Sequence, residues 1–266
     1  MIGSSQKLLM ARAGVRAGGV PYEVGGAVFE TSLSVPTTDG GSVWFKDGST
    51  MFCLENIGGN AHVSKYSLST PWNISTATFQ QSLAVNSLER DAEQLMLDPT
   101  GSYLYVSGSL NDQVRQWVLS TAWDLSTATF DGSGPTGNVN PRFFIKSDGT
   151  VLYSTSQGSA VKTYPLSTAW DVTSFGSATT LTTTTTPHFI KEDGSKVYNI
   201  FITDQIRPTG VSDVDLSTPW DLDTGTTNTT FDAKGSQDRI RGVFIGDGGK
   251  KMYLPTDGSI VQYRLA

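Results

Sequence analysis

Four residues of this 266-residue chain head similar apolar segments and carry side chains able to do chemistry: Glu93, Arg142, His188 and Arg241. They stand before Leu95-Met96-Leu97, Phe143-Phe144-Ile145, Phe189-Ile190 and Val243-Phe244-Ile245, so whatever places one of these segments places the four side chains equivalently. Two guanidinium groups and an imidazole beside one carboxylate suit the holding of a carboxylate or an acidic sugar through charge-assisted hydrogen bonds. They suit hydrolysis poorly. Glycoside cleavage needs two carboxylates flanking the bond, and here Glu93 stands alone, with Asp91 and Asp39 as the next candidates. The two histidines, His62 and His188, fall in different segments without Ser-His-Asp grammar nearby, and Cys53 is the only cysteine. A catalytic triad, a metal site, a thiolate cage or an intrachain disulfide is therefore not expected, nor is a cofactor.

The elements that must position these residues form a repeat. Leu119-Ser120-Thr121-Ala122-Trp123-Asp124-Leu125-Ser126-Thr127-Ala128-Thr129-Phe130 recurs as Leu68-Ser69-Thr70-Pro71-Trp72-Asn73-Ile74-Ser75-Thr76-Ala77-Thr78-Phe79, Leu166-Ser167-Thr168-Ala169-Trp170-Asp171 and Leu216-Ser217-Thr218-Pro219-Trp220-Asp221-Leu222, about fifty residues apart. Each copy follows an apolar strand, an Asp-Gly or similar turn, a second strand with Phe52, Tyr105, Tyr153, Tyr198 or Tyr253, and a third strand ending at Leu68, Leu119, Leu166, Leu216 or Leu265. Glycine supplies the positive φ that such tight turns need. Five units of four short antiparallel strands predict an all-β, five-bladed β-propeller over residues 21–266. The last unit stops at Ala266 without an outer strand, and Ala27-Val28-Phe29-Glu30-Thr31-Ser32-Leu33-Ser34-Val35 matches the outer-strand segment that begins at Ala77. The N-terminal strand is thus expected to complete the last blade, burying Phe29 and Leu33 and removing an open edge.

The four tryptophans of the repeat could stack on sugars, but a position repeated in every unit more often solves one packing problem. The Asp-Gly and Ser-Thr-x-Trp turns vary little and share one face. The loops Glu55 to His62, Gly108 to Gln113, Gln157 to Ala160, Phe201 to Gly210 and Pro255 to Gly258 vary in length and content, and their face is the expected binding face. Residues 1–20 read as an N-terminal arm whose Lys7, Leu8, Leu9, Arg12 and Arg16 would dock onto a partner. Its apolar run, Leu8 to Ala11, is too short for a signal-peptide core, and no later run has membrane-spanning length. A net charge of −6 opposes nucleic-acid binding, which needs a basic face.

Over residues 22–266 the chain resembles the Asp-Gly…Tyr-x-Leu-Ser-Thr-Pro-Trp-Asp-Leu-Ser-Thr-Ala repeat of β-propeller proteins from phages, marine ones especially, and some bacteria. Ala122 and Ala169 replace the usual proline, Asn73 replaces the aspartate, and the fifth unit lacks the Trp motif where the chain ends. The resemblance implies a virion protein, either tail-associated and receptor-binding or capsid-decorating, whose partners are other virion proteins and host-surface glycan. It brings no catalytic residues, so the chain reads as a non-enzyme, with a lectin-like or glycoside-acting propeller as the alternative.

Overall fold

Each inner segment is almost wholly apolar because it is covered on both sides, by its own blade and by its neighbours around the axis. The computed structural model describes residues 20–35, 41–57, 59–85, 87–89, 91–109, 113–136, 142–155, 160–183, 186–202, 208–233 and 239–266. The docking residues Lys7, Leu8, Leu9, Arg12 and Arg16 lie outside these, as does Asp39. The described strands form five antiparallel sheets of four. After β1 (Val28–Ser34), the first blade is β2 (Val43–Phe45), β3 (Thr50–Ile57), β4 (Asn60–Leu68) and β5 (Ala77–Ala84). The second is β6 (Ala92–Leu97), β7 (Tyr103–Gly108), β8 (Gln113–Leu119) and β9 (Ala128–Thr136). The third is β10 (Arg142–Ile145), β11 (Val151–Thr155), β12 (Lys162–Pro165) and the short β13 (Thr179–Thr180). The fourth is β14 (Phe189–Ile190), β15 (Lys196–Ile202), β16 (Pro208–Leu216) and β17 (Gly225–Asp232). In the fifth, β18 (Phe244–Gly246), β19 (Lys251–Pro255) and β20 (Ser259–Arg264) pair in order, and β1 takes the outer place against β20. The fold is the five-bladed propeller that the repeat predicts, closed by its N-terminal strand. No helix among the described residues is long and apolar enough to cross a membrane.

The repeated tryptophan has one job in each blade. Trp72, Trp123, Trp170 and Trp220 all have left-handed φ, between 63° and 68°. Their backbone N–H groups donate to the glycine carbonyls of the first turn in the same blade, Gly48, Gly101, Gly149 and Gly194, each at 2.9 Å. The indole then lies flat on that glycine, so closely that a Cβ there would fall within 2.4 Å of the ring. The fifth blade has its copy at the other end of the chain. Tyr22 has φ 69°, donates to the Gly249 carbonyl at 2.8 Å and packs on that glycine in the same way. Val20-Pro21-Tyr22-Glu23-Val24 is therefore a fifth copy of the Thr-Pro-Trp-Asp-Leu motif, and the expectation that the fifth unit lacks it is corrected.

Adjacent blades are joined at the same place. The residue two after each aromatic, Val24, Ile74, Leu125, Val172 or Leu222, is buried at 1 % exposure or less, which stabilises by about 1.5–3 kcal/mol per side chain. Its turn is capped by the preceding Asn73, Asp124, Asp171 or Asp221, whose side chain accepts from the backbone N–H two residues on. The second-strand tyrosine of one blade donates to the carbonyl of the next blade's aromatic: Tyr253 to Trp72 (2.7 Å), Tyr105 to Trp170, Tyr153 to Trp220 (2.9 Å) and Tyr198 to Tyr22 (2.8 Å). Phe52 breaks the series, and Lys65, opposite it in the β3–β4 register, donates its Nζ to Trp123 at 2.8 Å instead.

Closure of the ring uses different side chains from those expected. Phe29 is 59 % exposed and meets only the edge of Tyr263, while Leu33 is partly buried. Burial comes from Val24 and Val35 on either side of the strand. Phe29 and Leu33 would share one face of a regular strand, but the β1–β20 register shifts between Phe29 and Thr31, so the two side chains leave on opposite faces of the outermost strand. Buried Asp213 of β16 completes the seam by accepting from Val24 N (3.2 Å), Lys196 Nζ (2.6 Å) and Asn228 Nδ2 (3.1 Å). Gln116 and Gln262 hold Val172 N (2.8 Å) and Ile74 N (3.0 Å) in the same manner at two other seams.

Candidate functional site

The axis of the ring is closed midway by one large side chain from each inner strand. Trp44, Met96, Phe144, Phe189 and Phe244 converge there, with Trp44 and Phe244 ring centroids 5.4 Å apart, Phe189 and Phe244 5.1 Å, and Phe144 and Phe189 6.0 Å. This plug divides the axis into two ends with different chemistry.

At the end carrying the variable loops, Glu93 enters within β6, Arg142 opens β10, His188 precedes β14, and Arg241 precedes β18. Arg142 Nη2 lies 3.4 Å from Glu93 Oε2, and its Nη1 donates to the Glu93 carbonyl at 3.2 Å. Its pKa is pushed down by burial and, against the pull of Glu93, by the charges of Arg241 and Arg239. Guanidinium groups of the third and fifth blades therefore lie within electrostatic range of one another, and Arg142 remains a cation because an arginine stays protonated in proteins. Arg241 Nε donates to Asp257 Oδ1 at 2.5 Å. His188 Nδ1 lies 3.1 Å from the Thr186 carbonyl. Burial, and then the nearby Arg142 charge, lower its pKa to about 3 against the opposing effect of that carbonyl, so the imidazole is neutral at physiological pH. Beneath it lies a gap of about 10 Å³ bounded by Ser42, Gln94 and the plug.

The four residues named by the sequence are thus brought into one electrostatic cluster, with Arg239 as a fifth member that sequence reasoning missed. The signal was present. Arg239 stands two residues before Arg241, and Ile240 between them is buried at 2 % exposure. Among the described residues the charges that act on Arg142 are those of Glu93, Arg239 and Arg241, an excess of cations that favours an anion there, while Glu89, which is buried, and Asp91 lie beside Gly108 at the end of β7 and Asp257 is taken by Arg241. No group of three or more His, Cys, Asp or Glu among the described residues could hold a metal ion.

At the opposite end the axis opens into a cup of about 410 Å³. The plug forms its floor. Its wall includes the rings of Tyr22, Trp72, Trp123 and Trp170, and Lys46, Lys191, Glu192, Asp247 and Ser147 stand at its mouth. Both invariant turn classes meet here, as the repeat grammar requires. The tryptophans pack their blades as expected, and the same rings also line a cavity.

No protein-family model matches the chain, and no curated protein matches it. Solved structures do. A protein of Bacteroides uniformis described as a "putative 6-phosphogluconolactonase" shares 13 % identity over 80 % of this chain and 62 % of its own, with a TM-score of 0.46. A protein of Bacteroides fragilis with the same description gives 13 %, 80 %, 76 % and 0.46. Hydrazine synthase of Kuenenia stuttgartiensis gives 17 % identity over 85 % of this chain and 57 % of that one, with a TM-score of 0.49. The chain spans under two thirds of the first and last of these. The expectation that the chain is a non-enzyme is corrected by these descriptions, since similar chains are named as enzymes and the absence of an activity does not follow from the fold. At such identities the likeness is one of architecture, and the activities named are those proteins' own.

Proposed function

We propose that the chain is a ligand-recognition propeller of a phage particle, which takes an anionic group of a surface glycan at its arginine end. The charges of Arg239 and Arg241 acting on Arg142 from the fifth blade, beside the Arg142–Glu93 pair, carry this reading. Three guanidinium groups from two blades hold a carboxylate with directed, charge-assisted hydrogen bonds. Neutral His188 can donate or accept beside them, and Glu93 fixes Arg142 in place before a ligand arrives. The place on a particle, on the tail or the capsid, is supported by the resemblance of the repeat to phage propellers. The partners are then neighbouring virion proteins and host-surface glycan.

Calorimetric titration with glucuronate-containing and sialylated oligosaccharides tests the ligand. Binding should weaken as salt rises and fall roughly tenfold or more in Arg142→Gln and Arg239→Gln, each mutation removing one charge-assisted contact. Equal binding of the neutral analogues would refute the anion site. Cryo-electron microscopy of the particle tests the location, and its absence from purified particles would remove the virion part of the proposal while leaving the ligand site standing.

A further inference from the structure

The cup at the constant-turn end is a built cavity with chemistry unlike that of the arginine end. Its volume, about 410 Å³, lies within the range of small-ligand pockets, roughly 300–1,000 Å³. Its aromatic walls are set before any ligand arrives, because each ring is pressed onto a glycine of its own blade and held by a backbone hydrogen bond. Such rigidity lowers the entropic cost of binding.

The occupant follows from what the rings and the mouth still offer. Lys191 Nζ sits 4.6 Å from the Tyr22 ring centroid, and Lys46 Nζ sits 5.3 Å from that of Trp123. These are the places a quaternary ammonium ligand would take over the rings, and the protein's own cations fill them. Glu192 and Asp247 at the mouth disfavour an acid. The lysines cover the rings of Tyr22 and Trp123, and Phe45 and two glycines enclose Trp72, so what remains is the Trp170 ring and the aromatic plug inside, with ammonium donors and carboxylate acceptors around the edge. A molecule with a flat C–H face and a girdle of hydroxyls matches both parts.

We propose that the cup binds a neutral pyranoside, one face stacked on Trp170 and the rings of the plug and its hydroxyls bonded to Lys46, Lys191, Glu192 and Asp247. This site is separated from the arginine end by the aromatic plug, so the two are independent in structure and differ in charge preference.

Saturation-transfer NMR of the full chain with cellobiose, maltose and N,N′-diacetylchitobiose tests the proposal. Saturable binding is expected for at least one of the three. It should weaken roughly tenfold or more in Ser147→Trp, which places bulk at the exposed mouth, and in Lys191→Met, which removes a donor. Arg142→Gln should leave it unchanged. An unaltered melting temperature for Lys191→Met separates lost contact from lost fold. No binding by any of the three sugars overturns the proposal, as does binding undiminished in both mouth variants. Binding lost in Arg142→Gln would place the sugar at the other end and also overturn it.

Discussion

Lys65→Met isolates the one seam where the sequence departs from the repeat. At four seams a second-strand tyrosine hydroxyl satisfies the carbonyl of the next blade's aromatic, whereas at the first the ring is Phe52 and the donor is Lys65. Methionine keeps most of the apolar stem and removes the donor from the Trp123 carbonyl. An inward-facing carbonyl left without a partner costs about 1–3 kcal/mol, and partial exposure of Lys65 places the expected loss near the lower end. Adding Phe52→Tyr to Lys65→Met supplies the hydroxyl used by the other blades and should recover about 1 kcal/mol. The same Phe52→Tyr in the parent should gain nothing, because the ammonium already holds the carbonyl. The cycle therefore predicts a coupling of about 1 kcal/mol, read from urea unfolding by tryptophan fluorescence with unchanged m-values. Phe52→Tyr acting alike in both backgrounds, to within about 0.3 kcal/mol, would refute the equivalence of the five seams.

Other perturbations test the same architecture. Gly194→Ala meets both a left-handed backbone (φ +74°) and the Trp220 ring at 2.3 Å, and should cost about 2–5 kcal/mol, whereas Gly248→Ala (φ +61°, open space) should cost only the backbone share of about 1–2 kcal/mol in the same denaturation assay. Asp213→Ala uncaps Val24 and removes one of the two carboxylates that hold Lys196, Asp215 remaining at 2.6 Å, with an expected loss of about 1.5–3 kcal/mol; Gln116→Ala, at the equivalent seam, should lose about 1–3 kcal/mol. His188 is held neutral in the fold, its pKa lowered from 6.5 to about 3, so the unfolded chain binds its proton first as pH falls. Its contribution is complete above pH 6.5 and is lost toward pH 3. Parent and His188→Asn stabilities should therefore converge by about 1–3 kcal/mol between pH 6.5 and about pH 4.5, and parallel pH profiles would contradict the burial of the neutral ring.

The architecture was legible because its determinants are local and repeated. The Gly of each first turn, the aromatic with positive φ, and the Asp or Asn cap recur at fixed offsets, and the match between Ala27–Val35 and Ala77–Val85 located the closing strand. Tyr22 escaped because a tyrosine replaced tryptophan and its copy sat at the far end of the chain from the rest of its blade. Phe29 was misplaced for a different reason: matching of segments gives the strand, but only the count of layers outside it says which side chains reach solvent. The grouping of Glu93, Arg142, His188 and Arg241 followed from equivalent strand positions, whereas the cup needed three dimensions. Its wall is made of residues whose packing role already explained their recurrence, so nothing in the pattern distinguished a ring that packs from a ring that packs and lines a cavity.

The central claim, that the arginine end takes an anion, is tested most directly by NMR observation of the arginine Nε–Hε groups during titration with a glucuronate-containing oligosaccharide. Saturable shifts of the Arg142, Arg239 and Arg241 signals, absent with the matching neutral sugar, are the predicted result. Signals that stay still, or that move equally with the neutral sugar, would contradict it.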